Sequence, residues 1–485
     1  MEIFMVFAIL FPALAAVGAR LQWTNVTLKR LHRYVFGCVI LNSVFLWLLA
    51  FGPQVEALPL VHFTDSLRLV LNVDGMSRVF ILIISVLWPL TTLYAFDYMA
   101  HEGAESRFYF FFLLSYGVSS GIALSGNMLT LYLFFELLTL ATLPLVMHKM
   151  DDNARYAGKR YLVYSMIGAS LGFISIIFLQ AYGVSQDFRL GGVLPAALSP
   201  EVQNMLRTAF VLAFFGFGVK AALFPMSFWL PTASVAPTPV TALLHAAAVV
   251  KAGAFACIRL TYYSFGTEIL AGTLAQLIPM GAAVFTIAFG SVMALRSRHL
   301  KRRLAWSTVS NLSYILFAIL LMTDLGLKGA CLHMLAHAFI KSTLFFGVGC
   351  VLVNAGKEYL DEIDGLAGAM PVTFTCFAFA SAALMGVPPL PGFFSKWAIG
   401  TAAASVGGWM EILGVGALML SAFLTALYLM TIVCRAFVPS AGKLDRSVSL
   451  EKPWMKLVQI VLCGIILALG LLNPMLQTVL DGWLF

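Results

Sequence analysis

Charge is what this sequence has least of. Only 11% of its 485 residues are Asp, Glu, Lys or Arg, while 61% are hydrophobic, and the mean hydropathy is +0.93. A soluble domain keeps about a quarter of its residues charged, so a water-facing surface for a chain this long is excluded and a membrane protein is implied. Clustered cysteine is missing too. The seven cysteines all fall in apolar stretches and no two are spaced as CxxC, so no iron–sulfur site, zinc site or disulfide framework is indicated, and small buried hydrophobes are expected instead. No GxGxxG follows a strand-like run, so no cofactor is expected. No Pro/Ser-rich linker, charge block or low-complexity tract divides residues 1–485, which read as a single transmembrane domain. The first apolar run follows Glu2, with no Lys or Arg before it; this is the wrong sign for a signal peptide, and the run reads as a retained first helix.

What is present is apolar runs of bilayer length. A hydrocarbon core of about 30 Å needs roughly 20 residues of helix. That ruler predicts an all-α fold with about fourteen spans, at 3–19, 34–52, 77–97, 108–126, 128–148, 160–182, 208–229, 239–262, 270–295, 304–323, 327–354, 371–399, 409–435 and 454–480. The net charge of +8 does not point to nucleic acid, because the Lys and Arg residues lie mostly in the short connections. Twenty fall in connections after odd-numbered spans. Six fall after even-numbered ones, namely Arg68, Arg78, Arg189, Arg207, Arg259 and Lys328. Positive charge stays cytoplasmic, so both termini are predicted to face outward from the cytoplasmic membrane. The basic groups at 296–303 and 435–456 read as solvated anchors.

Four of the thirty basic residues remain, Lys220, Lys251, Lys341 and Lys396, and all four sit inside apolar spans. Glu136 is the one acid deep in a span, and His245, His333 and His337 are interior as well. A charge at a helix centre costs about 2.5–3.5 kcal/mol on the insertion scale, so five of them need a reason. Snorkelling or helix-to-helix glue is the plain one; it fits Lys251 best and the short Glu136 side chain poorly. Proton exchange is the functional one, since buried lysines and histidines trade protons near neutral pH and a neighbouring carboxylate sets which form prevails. His333, His337 and Lys341 recur at i, i+4 and i+8 on one helix face. Zinc also uses the i, i+4 spacing, but no HExxH glutamate or third ligand accompanies it, and no metal is expected.

Two of the lysines stand beside helix breakers. Lys220 precedes Pro225 and Pro231, and Lys396 follows Pro388, Pro389 and Pro391. Such breaks are tolerated in membranes only within protein or beside water-filled cavities, and paired breaks mark ion sites in transporters built from inverted repeats. The breaks lie five spans apart, which predicts two inverted five-helix repeats. Spans 4–8 (108–262) and 9–13 (270–435) would form them, flanked by N-terminal helices over 1–107 and a last helix over 454–485.

The stretches LFFELLTLATLPLV around Glu136, FPMSFWLPTASVAPTPVTALLHAAAVVKAGAF, LKRRLAWSTVSNLSYI, HMLAHAFIKSTLFF and GVPPLPGFFSKW are long, ordered and specific. From about residue 75 to 400 the chain resembles the antiporter-like subunits shared by respiratory complex I, Mrp-type cation/proton antiporters and membrane-bound [NiFe]-hydrogenases. It is similar to their compact, D-like members, which lack a long lateral helix or extended tail. The resemblance implies that Glu136 and Lys220 pair in a first half-channel and that His245 and Lys251 lead to the centre. His333, His337 and Lys341 would carry charge along the axis, with Lys396 ending a second half-channel. It also implies other membrane subunits as partners, protons or protons against Na+ as cargo, and a driving force from an ion gradient (Mrp-type) or a partner's redox chemistry. Two positions depart from the family pattern. Thr232-Ala233-Ser234 stands where an acid-Ala-His is frequent, and His299 stands where an aspartate precedes LKR. A structural scaffold with a vestigial relay is the rival reading; it gains ground if neutralising Lys220 and Lys396 together leaves translocation unchanged.

Overall fold

In the computed structural model, which describes residues 2–22, 28–53, 55–64, 67–438 and 448–485, the apolar stretches are helical. Lys443 and Arg446 of the basic tally lie outside the described residues. The order is α1 Glu2–Gln22, α2 Leu28–Phe51, a hairpin of β1 Leu58–His62 and β2 Arg68–Leu71, α3 Gly75–Glu102, α4 Glu105–Ala123, α5 Met128–Val146, α6 Asp152–Tyr182 and α7 Pro200–Gly218. A short α8, Trp229–Thr232, lies between 3-10 turns and leads to α9 Thr238–Ala246 and α10 Val249–Ile258; a π-helical turn, Arg259–Phe265, follows. Then come α11 Leu274–Arg296, α12 Leu300–Leu320, α13 Asp324–Ala355, α14 Pro371–Met385, α15 Pro391–Val406, α16 Trp409–Phe437, α17 Pro453–Leu471 and α18 Asn473–Leu484. The all-α expectation holds apart from the antiparallel hairpin. Among the described residues, ten helical segments are long and apolar enough to cross a membrane, with α9 and α10 counted as one.

Side-chain caps fix several of the starts. Asp74 accepts from Ser77 N at 2.9 Å, and Asn127 accepts from Thr130 N at 2.8 Å, each satisfying a donor that a helix leaves orphaned. Burial then sorts the helices. The α9–α10 segment is wholly buried and α13 nearly so, whereas α1, α16 and α17 keep broad apolar outer faces. The centre is α13, which packs on α3, α9, α12, α14, α15 and α17. A helix surrounded on all sides can bury His333, His337 and Lys341 together.

Both proline-marked breaks are real. Helix α7 stops at Gly218, Lys220 lies in the turn that follows, and Ala222 adopts a left-handed φ of 57°. Helix α14 stops at Met385, Gly386 takes φ 98° as a left-handed cap, and Pro391 starts α15. A third break was not legible: α9 and α10 separate at Ala247–Ala248, within an alanine run that holds no breaker.

Arg259 corrects the loop tally. It is wholly buried in the π-helical turn, donating to both Asp74 oxygens at 2.5 and 2.7 Å and to Ser77 Oγ at 3.1 Å. The rings of Phe188, Phe255 and Tyr263 surround its guanidinium at 4.6–4.9 Å, so it ties α3 to α10. Asp74→Asn keeps an N-cap acceptor but strips the pair of its charge. Breaking such a pair costs about 3–5 kcal/mol, and the expected result is a clearly lowered thermal midpoint of the purified protein. An unchanged midpoint would show the pair to be dispensable.

Candidate functional site

Six of the eight predicted residues, Lys220, His245, Lys251, His333, His337 and Lys341, are almost completely buried. The broken helices position the outer pair. With α7 ended at Gly218, the Lys220 chain turns towards α5, where its ammonium stands 3.7 Å from Glu136 Oε1, donates to the Phe135 carbonyl and lies over the Phe135 ring. Glu136 is not deep in the protein as expected. Its side chain is 29% exposed, beside the outward-facing Leu133, Leu137 and Leu140. A carboxylate on an otherwise apolar strip needs cover.

Next to Lys220, Gly253 permits a close approach of α10. A Cβ there would lie 2.4 Å from Ala221 N and 2.8 Å from the Lys220 carbonyl carbon. Two residues earlier on α10, Lys251 points inward and its Nζ is 3.1 Å from His337 Nδ1. The snorkelling alternative for Lys251 is thereby overturned, because the ammonium ends at the core of the protein and not at a surface. His337 and His333 face each other with ring centroids 5.9 Å apart, and His333 Nδ1 is 2.9 Å from Ser395 Oγ on α15. Tyr314 lies 5.2 Å from the His333 ring and 5.6 Å below the Lys396 ammonium. Lys396 donates to the carbonyls of Leu384 and Met385 at 2.6 and 3.0 Å. These are orphan acceptors at the end of α14, where the helix dipole favours a cation.

Two members stand apart from this line. His245 makes no hydrogen bond at either ring nitrogen and rests on Phe345 at 4.6 Å. Lys341 turns to α12, donating to Ser307 Oγ at 2.7 Å and the Leu304 carbonyl at 3.1 Å, and Ser307 reaches the Tyr428 hydroxyl at 2.6 Å. The three residues spaced i, i+4 and i+8 thus share a helix but serve three neighbours, α15, α10 and α12. Among the described residues no cluster of three His, Cys, Asp or Glu could hold a metal ion.

Several buried polar groups were missed. Lys301 and Arg303, expected as solvated anchors, are buried: Lys301 donates to the Ala236 carbonyl at 3.1 Å and Arg303 to the Tyr428 carbonyl at 2.8 Å. Glu105 is also buried, 2.5 Å from His32 Nε2. A signal for the α12 set existed in Ser307, Ser310, Asn311 and Ser313, a polar run within a span. Ser291, Ser310 and Ser421 meet at 2.6–3.0 Å, so that run is an interior seam. His299, just before α12, approaches Glu358, in the connection after α13, at 3.5 Å, and its hydrogen bond holds the Glu358 carboxyl below the ordinary carboxylate range.

Residues 125–425, which contain every one of these candidate residues, match the model of the NADH:quinone oxidoreductase/Mrp antiporter transmembrane family. The chain belongs to this family. It is 32% identical over 419 residues to NADH-quinone oxidoreductase subunit N of Desulforudis audaxviator, covering 83% of this chain and 82% of that one. It is 29% identical over 512 residues to a Na(+)/H(+) antiporter subunit of Alkalihalophilus pseudofirmus, covering 94% of this chain but 62% of that longer one. In fold it matches a chain of the membrane-bound sulfane sulfur reductase, an archaeal respiratory membrane complex, with a TM-score of 0.85 at 22% identity, over 98% of this chain and 96% of the other. The resemblance read from the motifs is therefore a family membership, and the long buried α13 is part of the family's matched region.

Proposed function

We propose that this protein is the proton-translocating, or Na+/proton-translocating, subunit of a multisubunit membrane complex. Its path would run from Glu136 and Lys220, past His245, to Lys251, His337 and His333, with Lys341 as a central branch and Lys396 at the far end. The observation that carries the reading is the Lys251–His337 hydrogen bond at 3.1 Å in the buried centre: two exchangeable groups in contact where no structural need calls for either. His245, the Nε2 atoms of His333 and His337, and Glu136 Oε1 are buried polar atoms without a protein hydrogen bond, the kind that ordered water bridges. A lysine–histidine line suits protons, while one carboxylate is a poor cage for Na+, which prefers several oxygens.

Helices α4, α7–α8, α12 and α14–α15 would join the ten apolar segments to make fourteen spans in one domain. Spans 4–8 and 9–13 would be inverted repeats, with the broken fourth span of each (α7–α8 and α14–α15) carrying Lys220 and Lys396. Both termini would be extracytoplasmic. Arg302, which is exposed at the start of α12, gives a test of orientation: Arg302→Cys should resist an impermeant thiol reagent in intact cells and react after permeabilisation. Ready labelling in intact cells would reverse the topology.

A gradient-driven, Mrp-type assembly is the first reading of the partners. A redox-driven assembly is the second, favoured by the match over four-fifths of the subunit N relative. Purifying the complex through a tag on this chain separates them, since iron–sulfur or nickel-bearing partners mean the redox-driven form. In either case the complex reconstituted in sealed vesicles should move protons under its driving reaction or an imposed Na+ gradient. Proton movement under neither would contradict the proposed function.

A further inference from the structure

Away from the relay, helices α2, α3 and α17 leave a groove of about 700 Å³ on the outer face. Its walls are apolar, with Val44, Leu48 and Phe51 on one side and Val461 and Ile465 on the other, and Pro89 in its floor. Trp47 is fixed over it by donating to Ser85 Oγ at 2.8 Å. From Ile40 to Phe51 the α2 wall runs about 16 Å at 1.5 Å per residue, close to one leaflet of hydrocarbon, about 15 Å.

A charge stands beyond the Phe51 end of this groove, outside its lining and joined to it through Trp483. Arg78 lies seven residues before Ser85 on α3, two turns along the same face and about 10 Å away along the axis. Its guanidinium sits over the Trp483 ring at 5.8 Å, and Trp483 packs on Phe51, a groove residue, at 5.9 Å. Arg78 Nε is buried without a hydrogen-bond partner, and among the described residues no carboxylate lies within 4 Å of Arg78. The acid one turn before it on the chain, Asp74, is engaged by Arg259, and Asp481, two residues before Trp483, is engaged by Lys328. An arginine with a free fork at the membrane interface, beside a tryptophan and above a chain-length apolar slot, has the features that recognise a phosphodiester carrying an acyl chain.

We propose that this groove binds one anionic phospholipid, its phosphate on Arg78 and one acyl chain between α2, α3 and α17, in the leaflet on the side of the β1–β2 hairpin. A partner helix fits less well, since helix-to-helix seams in membranes are built on small residues, and of this lining Ser43, Gly52 and Ser85 are small while the rest, Trp47, Leu48 and Phe51 among them, are bulky.

The test uses the whole complex, purified from the membrane and incubated with phosphatidylglycerol bearing a diazirine in one acyl chain, or with the matching phosphatidylcholine. After irradiation, labelled peptides are mapped. In the wild-type complex, peptides holding residues 40–51 and 85–90 should be labelled by phosphatidylglycerol in preference to phosphatidylcholine. Arg78→Gln should cut that labelling about tenfold, the scale of one charge-assisted hydrogen bond. Val44→Trp, which fills the slot and leaves Arg78 in place, should cut it as far and serves alone if Arg78→Gln does not assemble. Translocation should stay at the wild-type rate in both variants. Equal labelling by the two lipids, labelling that survives Val44→Trp, or no labelling of these peptides would overturn the proposal.

Discussion

Glu136→Gln should lower proton translocation by the assembled complex on the order of tenfold or more, equivalent to about 1.4 kcal/mol or more on the limiting step. Lys220→Ala should do the same, and the double variant should be little worse than either single. The reason is the asymmetry of the pair. The ammonium is enclosed, its partners among the described residues being the Phe135 carbonyl, the Phe135 ring and Glu136, while the Glu136 side chain is partly exposed. Glutamine removes the charge opposite the Lys220 ammonium while keeping the shape of the side chain, so no cavity opens and the proposed exchange within the pair fails. Residues that act as a unit lose their effect once. Vesicle acidification, with subunit content checked by blotting, measures all three variants. If the two single losses add, or if Glu136→Gln translocates normally, the glutamate is only a helix-to-helix contact.

The parts of the structure that were legible in the sequence were those with a local chemical mark. Apolar length gave the helices, and the prolines at 225, 231, 388, 389 and 391 gave two of the three breaks. The break at Ala247–Ala248 carries no mark, because it follows from packing on different neighbours, α9 on α13 and α3 and α10 on α7 and α12. The eight relay candidates could be picked out because charge inside an apolar run is costly, but their partners could not. Periodicity placed His333, His337 and Lys341 on one face of α13, and only the surrounding helices decide that they turn to Ser395, Lys251 and Ser307. The opposite error concerns Arg259, Lys301 and Arg303. Each lies near the end of an apolar run, where basic residues normally anchor in headgroups, and each is folded inward onto a carboxylate or a backbone carbonyl instead. Glu136 shows the same limit, since a sequence gives depth along a helix but not which side is left partly exposed.

Lys251→Met should bring translocation close to background while the complex assembles in normal amount. Lys251 is the only basic side chain hydrogen-bonded to His337 among the described residues, and it stands between the Glu136–Lys220 pair and the His333–Ser395–Lys396 side. Methionine nearly matches the volume of the lysine stem, so no cavity opens, and leaving His337 Nδ1 without its partner costs about 1–3 kcal/mol. The variant removes an exchangeable proton and the His337 hydrogen bond while keeping the packing, which is why assembly is checked beside it. Both broken-helix lysines remain in place, so a loss with normal assembly points to the route between them. The measurement is proton translocation by the purified Lys251→Met complex in sealed vesicles, under the driving reaction that powers the wild type. A rate near background with all subunits present is the predicted result, and the wild-type rate would contradict a continuous path through the centre of this protein.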